Sequence, residues 1–284
     1  MRCATCRAGN ARGLLPFVLL LSASASCTEL PPDLTSEEST LAWLLASRTI
    51  DDVEQRIDDV KEAWPTGGRY EWTGKLDSQK VADGYVSWNA EIWFSAVARC
   101  DLTFYTDPSG NVIDGFALKN LTYGREGEPS YFTGYRNETT LKDRRRAIYQ
   151  RLSVPPLPDS TVDSILAQYR ADRLGGIFSY GCGYVATPPE IRTRLWKEVA
   201  AGRDEVARAL LVSFDPQRQL YGLEAWLVTS ERHESRAESA QQVRQLLDGA
   251  DIAVCSGCVV WSESAEEFAA SIGSGRLWMA GYQY

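Results

Sequence analysis

The sharpest chemical feature of this chain is a pair of cysteines three positions apart, Cys255-Ser-Gly-Cys258. Such a pair can exchange disulfides, hold a metal or form a structural bond. Disulfide exchange needs the first thiol at the start of a helix, where the dipole lowers its pKa. Here Val259-Val-Trp261 follows, a β-prone run, and the next helix signal comes only at Ser264. A zinc site wants four ligands, and beyond the pair only Cys100 and Cys182 remain in the body of the chain. The structural bond is the favoured reading. Cys182, in the glycine-rich stretch Tyr180-Gly-Cys-Gly183, has the backbone freedom to partner one of the two. Cys100 alternates with Leu102 and Phe104, which reads as a buried strand position.

Elsewhere the reactive residues are scattered. The one histidine, His233, lies in a wholly polar stretch and reads as a surface loop residue. A single histidine also excludes multi-histidine metal sites. Acidic pairs such as Asp58-Asp59 and Glu266-Glu267 read as solvated helix faces, and the glycines near residue 175 lack the flanks of a phosphate loop. Arg144-Arg145-Arg146 reads as a solvated helix face rather than a nucleic-acid patch. No residue is assigned as catalytic, and no cofactor or metal is called for. Four aromatics, Tyr70, Trp72, Tyr85 and Trp88, fall where a sheet could show an aromatic face to a protein partner or glycan. The competing reading, that they fill a helix–sheet core, is favoured.

The elements that must position these residues follow from periodicity. Residues 69–123 hold β-prone runs with a two-residue alternation, and Asp107-Pro-Ser-Gly110 supplies a tight turn between two of them. Upstream, Ser39–Ser47 reads as a short helix. A second begins at Thr49, its N-cap, with Asp51 and Asp52 in the first turn and an apolar stripe at Ile50, Val53, Ile57 and Val60. The fold class is therefore α+β: two helices packed on an antiparallel β-meander. Downstream of Val154-Pro-Pro-Leu-Pro158 the chain reads as mainly helical, with one short strand at Ile252–Val254 and a final helix capped by Ser264 and Glu267.

The first residues read as an export signal. Arg2, Arg7 and Arg12 precede the apolar run Leu14–Leu21, which is too short to span a membrane, and small residues then lead to Cys27. This arrangement resembles a bacterial lipoprotein signal, which implies that Cys27 is acylated and becomes the first residue of the mature chain. Ser24 stands where that pattern usually carries Leu, and ordinary cleavage before an unmodified Cys27 is the competing reading. Loss of residues 1–27 removes three arginines and no acid, moving the net charge from −8 to −11. So acidic a chain is a poor partner for nucleic acid or anionic headgroups.

A second resemblance rests on Thr49, Asp52, Val53, Trp64-Pro65, Trp72 and the run from Leu102 to Val112. Over residues 41–121 their order is similar to the SmpA/OmlA family of small envelope lipoproteins, which includes the BamE subunit of the outer-membrane β-barrel assembly machine. That family has a Gly where Ser47 stands and a Gly-x-Pro where Trp64-Pro65 stands. The expected organisation is a signal at 1–27, a tether at 28–38, an α+β meander domain at 39–123, a linker with one helix at 124–158, and a mainly helical domain at 159–284. The expected function is that of a non-catalytic, lipid-anchored cell-envelope protein, facing the periplasm or cell surface and acting through protein contacts. The alternative is an envelope thiol–disulfide protein using Cys255 and Cys258.

Overall fold

A computed structural model describes residues 36–63, 76–95, 98–121, 130–170, 178–182, 189–229, 236–257 and 259–274. From Pro32 onward the chain forms one compact unit. The expected first strand around Tyr70 and Trp72, the signal with Cys27, and His233 all lie outside the described residues.

Helix α1 (Glu37–Leu45) starts at Ser36, whose hydroxyl accepts from the Ser39 amide. Helix α2 (Ile50–Ala63) starts at Thr49, whose Oγ1 accepts from the Asp52 amide at 3.2 Å, as the cap signal predicts. Its stripe of Val53, Ile57 and Val60 is buried. Five antiparallel strands follow in sequence order: β1 (Asp77–Lys80), β2 (Val86–Ser95), β3 (Ala98–Thr106), β4 (Val112–Leu121) and β5 (Ser130–Arg136). The turn between β3 and β4 is closed by Asp107, whose Oδ1 accepts from the amides of Ser109 and Asn111, with Gly110 at φ +82.

The meander is one strand longer than its alternation shows. Residues 130–136, read from sequence as part of a boundary, form β5. The strand pairs with β4 from Lys119↔Ser130 to Asp114↔Arg136. Its side chains are only half-buried, so no clean apolar alternation marks it. Helix α1 crosses it at Gly134, where an added Cβ would meet the Leu45 carbonyl oxygen at 2.4 Å. Glycine there is a packing requirement that reads in sequence as a loop signal.

The sheet has two covered faces. Ala90, Ile92, Phe94, Cys100, Leu102 and Phe104 point one way and join Leu41, Leu44, Val53, Ile57 and Val60 from the helices. On the other face Tyr105, Ile113 and Phe116 join Leu141 and Phe214 from the helical region. Burying both faces with apolar side chains is the main force holding the layers together.

The rest of the described chain is α3 (Glu138–Arg151), α4 (Asp159–Arg170), α5 (Glu190–Ala200), α6 (Asp204–Leu211), α7 (Pro216–Thr229), α8 (Arg236–Leu246) and α9 (Ala265–Gly273), with a second sheet set among them. That sheet has the order β6 (Phe178–Cys182), β7 (Asp251–Gly257), β8 (Val259–Ser264). Strands β6 and β7 are parallel, and β7 and β8 form an antiparallel hairpin. Sequence reading gives a glycine-rich loop at 174–183 and a single strand at 252–254. The second sheet is a long-range pairing that neither segment announces alone.

The arginine run 144–146 is a clear departure from the solvated face read in the sequence. Arg144 is buried, donates to the carbonyls of Val212 and Ser213 at 2.7 and 3.1 Å, and lies over the Phe214 ring at 4.1 Å. Burial pulls its pKa down to about 10, with Asp83 opposing the shift. Arg145, also buried, donates to Asp159 and Asp163, and Asp163 accepts from Arg136 as well. These guanidinium groups tie α3 to α4, to the segment before α7 and to the sheet. Only Arg146 is exposed among the three.

Candidate functional site

The described residues line a broad concavity. Strands β1 to β4 turn a polar patch outward beside the Tyr105–Phe116 cluster. Opposite stand the start of α7 and the β7–β8 hairpin, leaving an open cleft of about 850 Å³ between them. That volume sits in the upper part of the range for ligand sites.

The floor follows from strand alternation. Residues Cys100, Leu102 and Phe104 point into the helix–sheet core, so Asp101, Thr103 and Tyr105 must face the cleft. Asn89 and Ser87 do the same on β2. Thr103 Oγ1 donates to Asn89 Oδ1 and Asn89 Nδ2 donates to Ser87 Oγ, both at 3.0 Å, so the floor is a hydrogen-bonded polar strip. Asp101 accepts from Arg99 Nε at 2.7 Å. At the α7 wall Asp215 caps the helix: its Oδ1 accepts from the Gln217 amide at 2.9 Å, and its Oδ2 pairs with Arg218 at 3.1 Å. At the other wall Gln79 Nε2 donates to the Asp251 carbonyl oxygen at 2.5 Å, bridging β1 to the small sheet.

Among the described lining residues there are four aspartates, Asp77, Asp101, Asp215 and Asp251, against one arginine, Arg218. The cleft therefore carries an acidic excess, and its hydroxyls and amides share the lining about equally with apolar side chains such as Phe116, Leu118, Ile252 and the half-exposed Trp261.

The residues singled out from sequence fall in different places. Tyr85 packs edge-on against Phe214 at 5.2 Å, beneath Arg144; burial raises its pKa, and the Arg144 charge opposes the rise. Trp88 lies on the opposite face of the sheet and its Nε1 donates to Thr106 Oγ1 at 3.0 Å. The two rings serve separate cores and do not form one aromatic face. Cys100 is buried and free, its thiol pushed up to about 12 by burial. Cys255 is buried in β7 and is disulfide-bonded, with its partner side chain outside those described. Backbone register sets Cys182 beside Gly257, the residue before Cys258. The hairpin reverses between Ser256 and Val259, and α9 starts only at Ala265. Cys255 thus sits in a strand and does not open the helix that follows it, the position that would lower its pKa as a nucleophile. Among the described residues no group of three or more His, Cys, Asp or Glu side chains converges as a metal site.

Sequence reading missed the cleft because its members come from seven separate elements. A partial signal existed: the polar half of the β3 alternation, Asp101-x-Thr103-x-Tyr105, marks a face that the helix layer does not cover. In comparisons with protein-family models, curated proteins and solved structures, nothing matches this chain.

Proposed function

We propose that this protein is a lipid-anchored component of the cell envelope that acts by binding another protein, with the cleft between the meander and the β7–β8 hairpin as its binding surface. The observation that carries the reading is the cleft itself. It is large and open, its lining is part polar and part apolar, and its floor is a hydrogen-bonded strip rather than a collapsed core. Polar groups held in place before a ligand arrives reduce the ordering cost of binding.

The compartment is supported by the signal-like first residues with Cys27, and by a bonded Cys255, which suits an oxidising environment. No helix among the described residues is long and apolar enough to cross a membrane; on this reading the attachment is an acyl group on Cys27. The sequence resemblance of residues 41–121 to the SmpA/OmlA lipoproteins, if it reflects kinship, implies the same compartment and anchor. Thiol–disulfide activity has less support, because Cys255 lies in a strand rather than at the first turn of a following helix.

Metabolic labelling with a fatty-acid analogue tests the anchor. Wild type should be labelled and membrane-bound, whereas Cys27→Ser should be unlabelled and soluble. Labelling that survives the substitution refutes the anchor. A photoreactive residue at Asn89, on the cleft floor, should give a discrete protein adduct in cells that is absent with the same residue at Lys142. Turnover in an insulin-reduction assay would overturn the non-catalytic reading.

A further inference from the structure

The exposed large hydrophobic residues of the described chain gather on one strand. Val259, Val260 and Trp261 of β8 are 62, 54 and 37% exposed. They lie on both faces of the strand, since neighbouring strand residues point opposite ways. Strand β8 is the edge of its sheet, paired with β7 on one side and with none of the described strands on the other. Flat apolar edges invite pairing, and folded proteins ordinarily blunt them with lysine, proline or a bulge. Strand β8 carries none of these; its register with β7 is unbroken from Asp251↔Ser264 to Ser256↔Val259.

The register also shows which backbone groups are open. Ser256 and Val259 close the hairpin, and the closing pair of a tight hairpin exchanges its hydrogen bonds. By alternation Trp261 also bonds inward to β7, while the amides and carbonyls of Val260 and Ser262 aim at the free edge. Val260 and Ser262 both line the cleft, on the same face of the sheet as Asp251 and Ala253. A strand laid along β8 would place alternate side chains over the acidic cleft, near Asp77, Asp101 and Asp251. Its other side chains would lie along the opposite face of the strand, with Val259 and with Trp261, which also borders the cleft. The Trp261 ring is held there by its Nε1 donating to Glu263.

We infer that β8 is a β-augmentation site for an extended, basic segment of the partner protein, one that alternates Lys or Arg with apolar residues. The charge balance selects the occupant: the lining holds four aspartates against one arginine, Arg218, which pairs with Asp215, and Arg99 beside the cleft pairs with Asp101, so the site keeps a net negative charge. The edge supplies main-chain hydrogen bonds, and the cleft supplies specificity for every second side chain. This inference rests on the binding reading above and names the mode and chemistry of the partner.

The test uses the full chain in detergent and dye-labelled octapeptides, read by fluorescence anisotropy at low salt. Alternating lysine–valine should bind and alternating glutamate–valine should not. Added salt should weaken the complex, because the charges lie at an open cleft. Val260→Pro removes an outward amide without touching the ladder to β7 and should weaken binding by about tenfold, the worth of one or two ladder hydrogen bonds. Asp77→Asn with Asp251→Asn should weaken it as well. A lysine–valine peptide methylated at every backbone nitrogen keeps its charge and leaves the protein unaltered, and it should lose binding. Equal binding of the methylated and plain peptides, or of the basic and acidic ones, overturns the inference. So does binding of a neutral oligosaccharide such as cellohexaose in place of the peptide. A discrete adduct at Asn89 with no peptide binding would leave the binding function standing and remove strand addition as its mode.

Discussion

Arg192 on α5 and Glu224 on α7 form an ion pair in which both side chains are 0% exposed. One guanidinium nitrogen, Nη2, donates to both carboxylate oxygens at 2.8 Å, and the guanidinium carbon lies 5.7 Å from the Tyr221 ring. Glu224→Leu removes this counter-charge from a buried guanidinium, and Arg192→Met does the converse. Breaking a buried pair by removing one partner costs about 3–5 kcal/mol, because the remaining charge stays buried after losing that attraction. Replacing both together removes the desolvation penalty along with the attraction, so the double variant should lie within about 2 kcal/mol of wild type. The cycle therefore predicts a coupling of several kcal/mol, far beyond the sub-kcal additivity error expected of independent sites. Guanidinium titration followed by circular dichroism and tryptophan fluorescence measures all four proteins. A single substitution costing under about 1 kcal/mol would show that the site relaxes or admits water. A double variant no better than the sum of its singles would refute the pairing argument. The outcome bears on the cleft, because α7 carries Glu224 in its body and the wall residues Asp215 to Arg218 at its start.

Three further outcomes are expected. Gly134→Ala should destabilise by about 1–3 kcal/mol in the same titration, since its Cβ must displace the α1 backbone at Leu45. Asp163 should contribute an acid limb: burial favours its neutral form, but hydrogen bonds from Arg136 and Arg145 win and hold its pKa below the ordinary carboxylate value. Its contribution is then fully present above the unfolded value of about 3.9 and is lost as pH falls through the lower folded pKa. Asp163→Asn should accordingly cost stability at neutral pH and flatten the stability–pH slope below about pH 4; an unchanged slope refutes the linkage. Alkylation with mass spectrometry should find Cys255 blocked until a reductant is added. Cys100 should be free yet slow to react in the folded protein, because burial pushes its thiol up to about 12, and fast once the protein is unfolded.

Local signals carried the first layer of the fold. The Thr49 cap, the Val53-Ile57-Val60 stripe and the Asp107–Gly110 turn each specify their conformation within a few residues, and each forms as read. The same holds for α9, whose cap Ser264 accepts from the Glu267 amide. Strand β5 was not legible, because a half-buried edge strand has no strong alternation and Gly134 looks like a turn until α1 is laid across it. The small sheet was hidden for a different reason. Its β6–β7 pairing is parallel, so it joins segments far apart in sequence, and no local pattern encodes that partnership.

By itself the sequence determined the α+β class, the two helices on a meander, the helical character of the later chain and its acidic charge. Each of these depends on short-range periodicity or on composition. Only the tertiary structure decided the fates of charged and aromatic residues. Arg144 and Arg145 turn inward because Phe214, two backbone carbonyls and Asp163 await them there. Tyr85 and Trp88, three apart in sequence, enter different cores because the sheet separates them. The cleft and the bare edge of β8 exist only once β1 to β4, the start of α7 and the β7–β8 hairpin are brought together. Burial and charge pairing are properties of the whole packed assembly, and a side chain's own neighbours in sequence do not contain them.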